Sequence, residues 1–463
     1  MYEARCEASL LLFGCFIVYS LPFIVYCLPF IVYHLLLIVG FVVWSNGCLV
    51  QLIFIPLYKQ SIYMVKIAIY TLTSELHDEQ AVTASTREFL ESLNMEYDFR
   101  GTDYSDYGTH ALDLLFVRTG GTEGIFHQLL PTLQGKSSQP IYLLTSGKSN
   151  SLAASMEILS YMQQNGITGE IIHGSSEYVR HRIQVLQNVS NAKRLLNGAK
   201  VGVIGAPSDW LISSNADAQA ISSKLGIEII NIPMQELLDI YAAKSDVADS
   251  ELMSKAPNDA IRESIPGALR IYECLKVLVE KYSLSGLTIR CFDLLTAVKN
   301  TGCIALAKLN AEGIVAGCEG DVPALLSMMV SNALTGESGF QCNPASVDVV
   351  KGRLMFAHCT IPFNMVDRYE LDTHFESGIG VGIRGYMHGN VTIFKMSGDA
   401  SRMYAEEGTI LACENKPNLC RTQTVVQLDN AEQARYFLTR PIGNHHIIIK
   451  GRHKEEIIEM FNL

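Results

Sequence analysis

Three short segments in the last third of this 463-residue chain carry side chains able to do chemistry together. The first is Ala316-Gly-Cys-Glu319-Gly-Asp321, which follows an apolar run and opens directly into a helical pattern from Val322 to Leu334. A carboxylate there lies near a helix N-terminus, where free N–H groups and the peptide dipoles favour its ionised form. Asp321 stands one residue before the pattern and reads as its cap, whereas Glu319 is open to a capping or a site role. The second segment is Gly339-Phe-Gln-Cys-Asn343-Pro-Ala-Ser-Val-Asp348, followed by Leu354-Met-Phe-Ala-His358-Cys359, a strand with His358 at its end. Taken alone, such a histidine is more often a hydrogen-bonded core residue than a ligand. The third is Pro441-Ile-Gly-Asn-His445-His446-Ile-Ile-Ile-Lys450, in which paired histidines enter a strand and point to opposite faces. Read locally, a solvent-exposed turn histidine is the commoner reading of such a pair. Together, carboxylate, amide and imidazole make a mixed oxygen and nitrogen ligand set suited to Mn²⁺ or a similar divalent cation, while structural zinc would want thiolates.

The elements that must position these groups read as three folded parts. In residues 64–197, apolar runs alternate with helical patterns, the signature of parallel βα units. Strands are expected at Val65 to Tyr70, Leu112 to Arg118, Ile141 to Thr145 and Ile167 to His173, with helices at Glu79 to Leu93 and Ser151 to Asn165. The strand ending at Arg118 runs into the loop Thr119-Gly-Gly-Thr-Glu123-Gly, a strand-end position where open α/β sheets place ligands. Its glycine spacing is not that of a dinucleotide fingerprint, and a simple glycine-rich turn is the alternative. Residues 198–300 repeat the design: a strand at Ala199 to Gly205, a helix at Ser214 to Leu225, one long helix over Asp249 to Tyr282, and Leu287 to Phe292 closing the sheet. From residue 301 to 463 the style changes to short strands with glycine-rich turns, the composition of a twisted sheet or small barrel. The fold expected is therefore α/β, with two Rossmann-like parallel-sheet domains followed by a C-terminal mixed, β-rich, barrel-like domain.

Composition narrows the partners. The net charge is -11 with no cluster of Lys and Arg to follow a phosphate backbone, so nucleic acid is not expected. Of the twelve cysteines, Cys303, Cys318, Cys342 and Cys359 sit in apolar stretches without CxxC spacing, which favours reduced, buried thiols over disulfides or zinc. Residues 1–63 stand apart. No charged residue occurs between Glu7 and Lys59, and Phe16-Ile-Val-Tyr-Ser-Leu-Pro22 recurs as Phe23 to Pro29 and Phe30 to Leu36. A membrane anchor is one reading. A tandem seven-residue copy interrupted by Pro22 and Pro29 fits translated spacer sequence better, with Met64-Val-Lys-Ile-Ala-Ile-Tyr70 as the true start. A membrane partner is expected only if residues 1–63 belong to the working protein.

At the level of motifs, the chain from Met64 onward resembles the L-fucose isomerase and L-arabinose isomerase superfamily, especially its shorter L-fucose isomerase-like members. The resemblance rests on CEGD at Cys318 to Asp321, the stretch from Ser346 to Cys359, THFESG at Thr373 to Gly378, GNHH at Gly443 to His446, and VRTGGTE at Val117 to Glu123. It implies a cytoplasmic, oligomeric, Mn²⁺-dependent aldose–ketose isomerase acting on a free sugar such as L-fucose, L-arabinose or D-arabinose. The implied metal ligands are Glu319, Asn343 and His445, with Glu319 and Asn343 at the catalytic positions. Arg118, Thr119, Glu123 and His358 would contact the substrate, the first three reaching the site of a neighbouring subunit.

Asn343 departs from the pattern, which has Asp there, although the spacing matches (343 − 319 = 24). An amide can offer its carbonyl oxygen to a cation but cannot titrate. Either Glu319 works with another acid, such as Asp321 or Asp348, or the reaction is lost or changed. The alternatives are then a sugar-binding protein, or a metal-dependent epimerase or lyase of a sugar acid on the same scaffold.

Overall fold

The computed structural model describes residues 67–462 except 376, together with two short strands in the first sixty-three residues, Trp44–Ser45 and Cys48–Leu49, which pair antiparallel. The chain divides into two units, Met1–Tyr63 and Met64–Leu463. The heptad repeat and its anchor or spacer readings lie outside the described residues. Among those described, no helix is long and apolar enough to cross a membrane.

Within the larger unit the expected architecture is present. A five-stranded parallel sheet runs in the order Asp98–Gly101, Ile67–Leu72, Leu112–Val117, Ile141–Leu144, Gly169–Ile172. Its central strands are buried on both faces, which is why they read as unbroken apolar runs. The edge strand Asp98–Gly101 (DFRG) gave no such signal, because only a half-buried edge was needed there.

A four-stranded parallel sheet follows, ordered Val315–Cys318, Gly286–Ile289, Lys200–Ile204, Glu228–Ile232. Here the structure corrects two expectations. Gly286–Ile289 is an interior strand and does not close the sheet; the edge is Val315–Cys318, brought alongside by the helix Cys303–Ala311. This sheet therefore draws a strand from beyond residue 300. The single long helix expected over Asp249 to Tyr282 is two, Ser250–Ser254 and Asp259–Tyr282. Pro257 disfavours helical backbone at Ala256, and the Asn258 side chain accepts from the Ile261 N–H at 3.0 Å to restart the second helix.

The C-terminal part is a closed antiparallel barrel of Phe340–Asp348, Arg353–His358, Thr422–Leu428, Met403–Cys413, Gly389–Met396 and His446–Lys450, the last pairing back to the first. Phe340, Cys342, Leu354, Phe356, Val391, Ile393, Val426 and Ile448 belong to one buried cluster that fills it. Closure removes the unpaired edges an open sheet would expose.

Between barrel and second sheet lies the helix Val322–Thr335, buried at every position from Val322 to Ser331. Leu325 and Val330 share a cluster with Val201 and Val203 of the sheet and with Phe394, Ile447 and Ile449 on the barrel's outer face. An apolar surface all round is what a helix packed from two sides requires. Its N-terminus, bearing Glu319-Gly-Asp321, is thereby fixed by both halves.

Candidate metal centre

Glu319 leaves the end of strand Val315–Cys318 in the left-handed region, with φ at 64°, and its backbone carbonyl accepts from the Ser208 N–H at 2.9 Å. Gly320 follows at φ 68°, where an added Cβ would stand 2.3 Å from the Ala206 carbonyl oxygen. Only glycine fits this turn. Gly320→Ala is expected to cost roughly 2 kcal/mol or more, seen as a lowered midpoint in urea unfolding; an unchanged midpoint would show that the turn is not under this constraint.

The turn aims the Glu319 carboxylate at two imidazoles. His358 ends strand Arg353–His358 with Nε2 3.7 Å from Oε1, and His445, just before strand His446–Lys450, has Nε2 3.6 Å from the same oxygen. Glu319, His358 and His445 are all buried, and one ligand atom from each lies within 4.8 Å of the others. The other carboxylate oxygen, Oε2, accepts from the Trp210 indole N–H at 2.7 Å.

Asp321 organises the rest. Its Oδ1 accepts from the Ala324 N–H at 2.8 Å, which confirms the cap, while Oδ2 accepts from His445 Nδ1 at 2.8 Å. A carboxylate on one ring nitrogen sets the tautomer and turns the other toward the ligand position. The opposite nitrogen, Nε2 of His445, is buried without a hydrogen-bond partner, as is Nδ1 of His358. An orphaned imidazole nitrogen beside a carboxylate fits a divalent cation well, since coordination would satisfy what no protein group does. Lys395, buried with its Nζ 3.6 Å from Asp321 Oδ1, balances that acid's charge.

Electrostatics follow from this packing. Burial pushes the Glu319 carboxyl upward, but the two imidazoles of His358 and His445 facing it outweigh this and hold the group well below the usual carboxylate range. Burial likewise opposes ionisation of Asp321, yet Lys395 and His445 bring it down to about 2. For His445, burial favours the neutral ring, but Asp321 and Glu319 raise it to about 9. A cation needs neutral Nε2, so below that value metal must displace a proton, and affinity should weaken up to about tenfold for each unit of pH lowered. At neutral pH, calorimetric titration with Mn²⁺ in buffers of different ionisation enthalpy should report about one proton released per ion bound. Identical heats in all buffers would contradict the charged state of His445.

A cavity of about 220 Å³ opens beside Glu319 and His358, lined also by Phe292, Thr301, His374, Phe375 and Cys291, Cys303, Cys318, Cys359 and Cys420. This is below the ~300 Å³ lower end of drug-sized pockets and suits one small molecule. Phe292 stands edge-on to both Trp210 and His374, with centroids 4.8 and 5.5 Å apart. A larger crevice, about 860 Å³, runs past Ser137, Lys193 and Lys224, and among the described residues none of its lining is Asp, Glu, His or Cys.

Of the residues singled out in the sequence, the structure brings together Glu319, His445 and His358. Asn343 is half-buried on strand Phe340–Asp348, with Ala357, the neighbour of His358, as its partner. The ladder from Phe340↔Ile448 to Cys342↔His446 would next set Asn343 across from His445. Asp348 lies at the far end of that strand, accepting from the Val350 and Lys351 N–H groups, and is no second acid for this centre.

In the first sheet, Arg118 is engaged by Thr73, Thr83, Thr86 and Glu79, the buried Thr119 hydroxyl accepts from the Ser74 N–H at 3.0 Å, and Glu123 opens helix Glu123–Lys136. None of the three lines the cavity at Glu319. Trp210 and the orienting role of Asp321 were not found from sequence; His374 was signalled only as part of the THFESG motif. All eight described cysteines are free, and Cys303, Cys318, Cys342 and Cys359 are buried as expected.

No family profile matches the chain. It is similar to a sulfoquinovose isomerase of Priestia aryabhattai, 23% identical over 291 residues, which are 59% of this chain and 64% of that protein. Proteins of the same name from Clostridium sp. (strain MSTE9) and Alkalicoccus urumqiensis are 26% identical over 194 residues and 22% identical over 225, covering 42% and 49% of those relatives. The matched part thus spans less than two thirds of each relative's length.

Proposed function

We propose that this chain is a divalent-cation-dependent aldose–ketose isomerase acting on a free monosaccharide. The observation that carries the reading is the buried Glu319 carboxylate between two imidazoles, one of them turned by Asp321, beside a cavity of monosaccharide scale. The relatives' shared name, an isomerase of a sugar, supports it.

Glu319, His445 and His358 would hold the cation, Mn²⁺ by the chemistry of the set, with the Asn343 carbonyl as a neutral fourth ligand suggested by its register beside both histidine-bearing segments. Bound there, the cation would supply electrostatic stabilisation of charge developing on the sugar's oxygens. The chain's own residues do the rest. Glu319, kept ionised, takes the proton from carbon as the aldose becomes an enediol and, after exchange with solvent at its carboxyl, delivers a proton to the neighbouring carbon. Trp210 holds the carboxylate through Oε2. Asp321 is buried, capped and bonded to His445, so it orients and does not meet substrate. With Asn343 unable to titrate, His374 on the cavity wall is the group we assign to proton relay among the oxygens.

Among the described residues the cavity wall carries no Lys or Arg, and Arg118, the cation that a neighbouring subunit's loop would bring, is already paired with Glu79, which favours a neutral aldose over a sulfonated one. The N-terminal loop of Arg118, Thr119 and Glu123 would complete the pocket of a neighbouring subunit in a homo-oligomer, and a cytoplasmic location goes with this reading.

The test is direct. Full-length protein with Mn²⁺ is incubated in heavy water with L-fucose, L-arabinose, D-arabinose and sulfoquinovose, and products are followed by NMR. Ketose from a neutral aldose, carrying deuterium at the carbon that gained the proton, is the expected result; no ketose from any of the four rejects the proposal. Asn343 itself favours a second reading, a sugar-binding protein that has lost turnover. Should Asn343→Asp create activity absent from a parent that already binds Mn²⁺, that second reading replaces the first.

A further inference from the structure

Beside the carboxylate–imidazole centre lies a pair of thiols that the proposed reaction does not use. Cys318 is the last residue of its strand, directly before Glu319, and its register partner on the neighbouring strand is Ile289. Two residues on, the chain folds back, the Cys291 N–H donating to the Ile289 carbonyl at 2.9 Å. This return sets Cys291 Sγ 2.9 Å from Cys318 Sγ. A disulfide bond is about 2.05 Å long, so the sulfurs need approach by less than about 1 Å. Both line the cavity, Cys291 partly exposed and Cys318 buried, so a small oxidant that enters meets Cys291 first.

We propose that Cys291 and Cys318 form a reversible oxidative modification site, closed by hydrogen peroxide, whose closure is felt at Glu319. The chemistry balances with peroxide as the only co-reactant. The Cys291 sulfur attacks one peroxide oxygen, the O–O bond breaks, and a sulfenic acid and water form. The Cys318 thiol then attacks that sulfur, its proton leaves with the hydroxyl as a second water, and the S–S bond closes. Each sulfur is oxidised by one electron, and the two peroxide oxygens take up the pair. A dithiol reductant reverses the step by exchange.

Closure is transmitted because both partners are tied to groups around the centre. Cys318 N–H and C=O are clamped by the Gln341 side chain at 2.8 and 3.2 Å, so any backbone shift that closure demands of Cys318 falls on the turn that begins at Glu319. Cys291 immediately precedes Phe292, whose ring meets Trp210, and Trp210 donates to Glu319. The indole therefore sits where a shift of either thiol is read. The inference does not depend on the sugar or on turnover.

The full chain carries two tryptophans, Trp44 and Trp210, so the Trp44→Phe protein reports from Trp210 alone. It is treated with hydrogen peroxide, mapped by mass spectrometry without reduction, and its fluorescence recorded before and after dithiothreitol. The expected outcome is a Cys291–Cys318 cross-linked peptide, a mass loss of about 2 Da, and a change in Trp210 emission that dithiothreitol reverses and Cys291→Ser abolishes. Sulfenic or sulfinic products without a cross-link would overturn the proposal, as would a cross-link joining Cys359 to Cys420 instead. A Cys291–Cys318 cross-link with unaltered Trp210 emission would overturn the link to Glu319.

Discussion

Glu319→Gln is expected to lower turnover by roughly 10³-fold or more, because it removes in one change the proposed base and the proposed anionic ligand of the centre. The substitution is nearly isosteric, and its amide oxygen still accepts from the Trp210 indole, so the fold should persist. What is lost is the charge that faces His358 and His445 across 3.7 and 3.6 Å. Mn²⁺ affinity should fall with it. The variant is assayed for ketose formation, titrated calorimetrically with Mn²⁺, and checked by circular dichroism; activity within tenfold of the parent would remove Glu319 from the reaction.

Asp321→Asn should be the most costly change outside the ligands themselves. Asparagine can still cap helix Val322–Thr335 through its side-chain oxygen, so the first turn is kept. Two other partners lose their counter-charge: buried Lys395, 3.6 Å away, and the ring of His445, 2.8 Å away. Breaking a buried ion pair from one side typically costs about 3–5 kcal/mol. Releasing the orientation of a metal-side imidazole typically costs about 10–100-fold in cation affinity. Urea unfolding and Mn²⁺ titration measure the two separately. A variant with parental stability and affinity would reduce Asp321 to a helix cap.

Much of this architecture was legible in the chain, for identifiable reasons. The parallel strands are buried on both faces and so appear as continuous apolar runs, and the glycine-punctuated C-terminal part reads as the barrel it is. The break at 255–258 depended on Pro257 and Asn258 acting against a strong helical period, and the period alone concealed it. Strand Val315–Cys318 fell inside the part drawn as residues 301–463 because sequence shows a run's apolarity and not its neighbours.

At the centre, Glu319, His358 and His445 were visible as residue types at strand and helix ends. Asp321 was read as a cap, which it is; that the same carboxylate also turns His445 depends on segments 124 positions apart, and no local pattern carries that. Trp210 escaped for the same reason, being an indole in a turn whose only special property is what lies across from it.

The ligand atoms of this centre come from two bodies: Glu319 from the end of a parallel strand, His358 and His445 from the rim of the barrel. A cation seated among them would act as a rivet between sheet and barrel, alongside the buried core they share around helix Val322–Thr335, so its hold would be mechanical as well as chemical. Loading it should stabilise the fold by mass action, growing with the logarithm of its concentration over its dissociation constant, and a chelator should withdraw that support from sheet and barrel together.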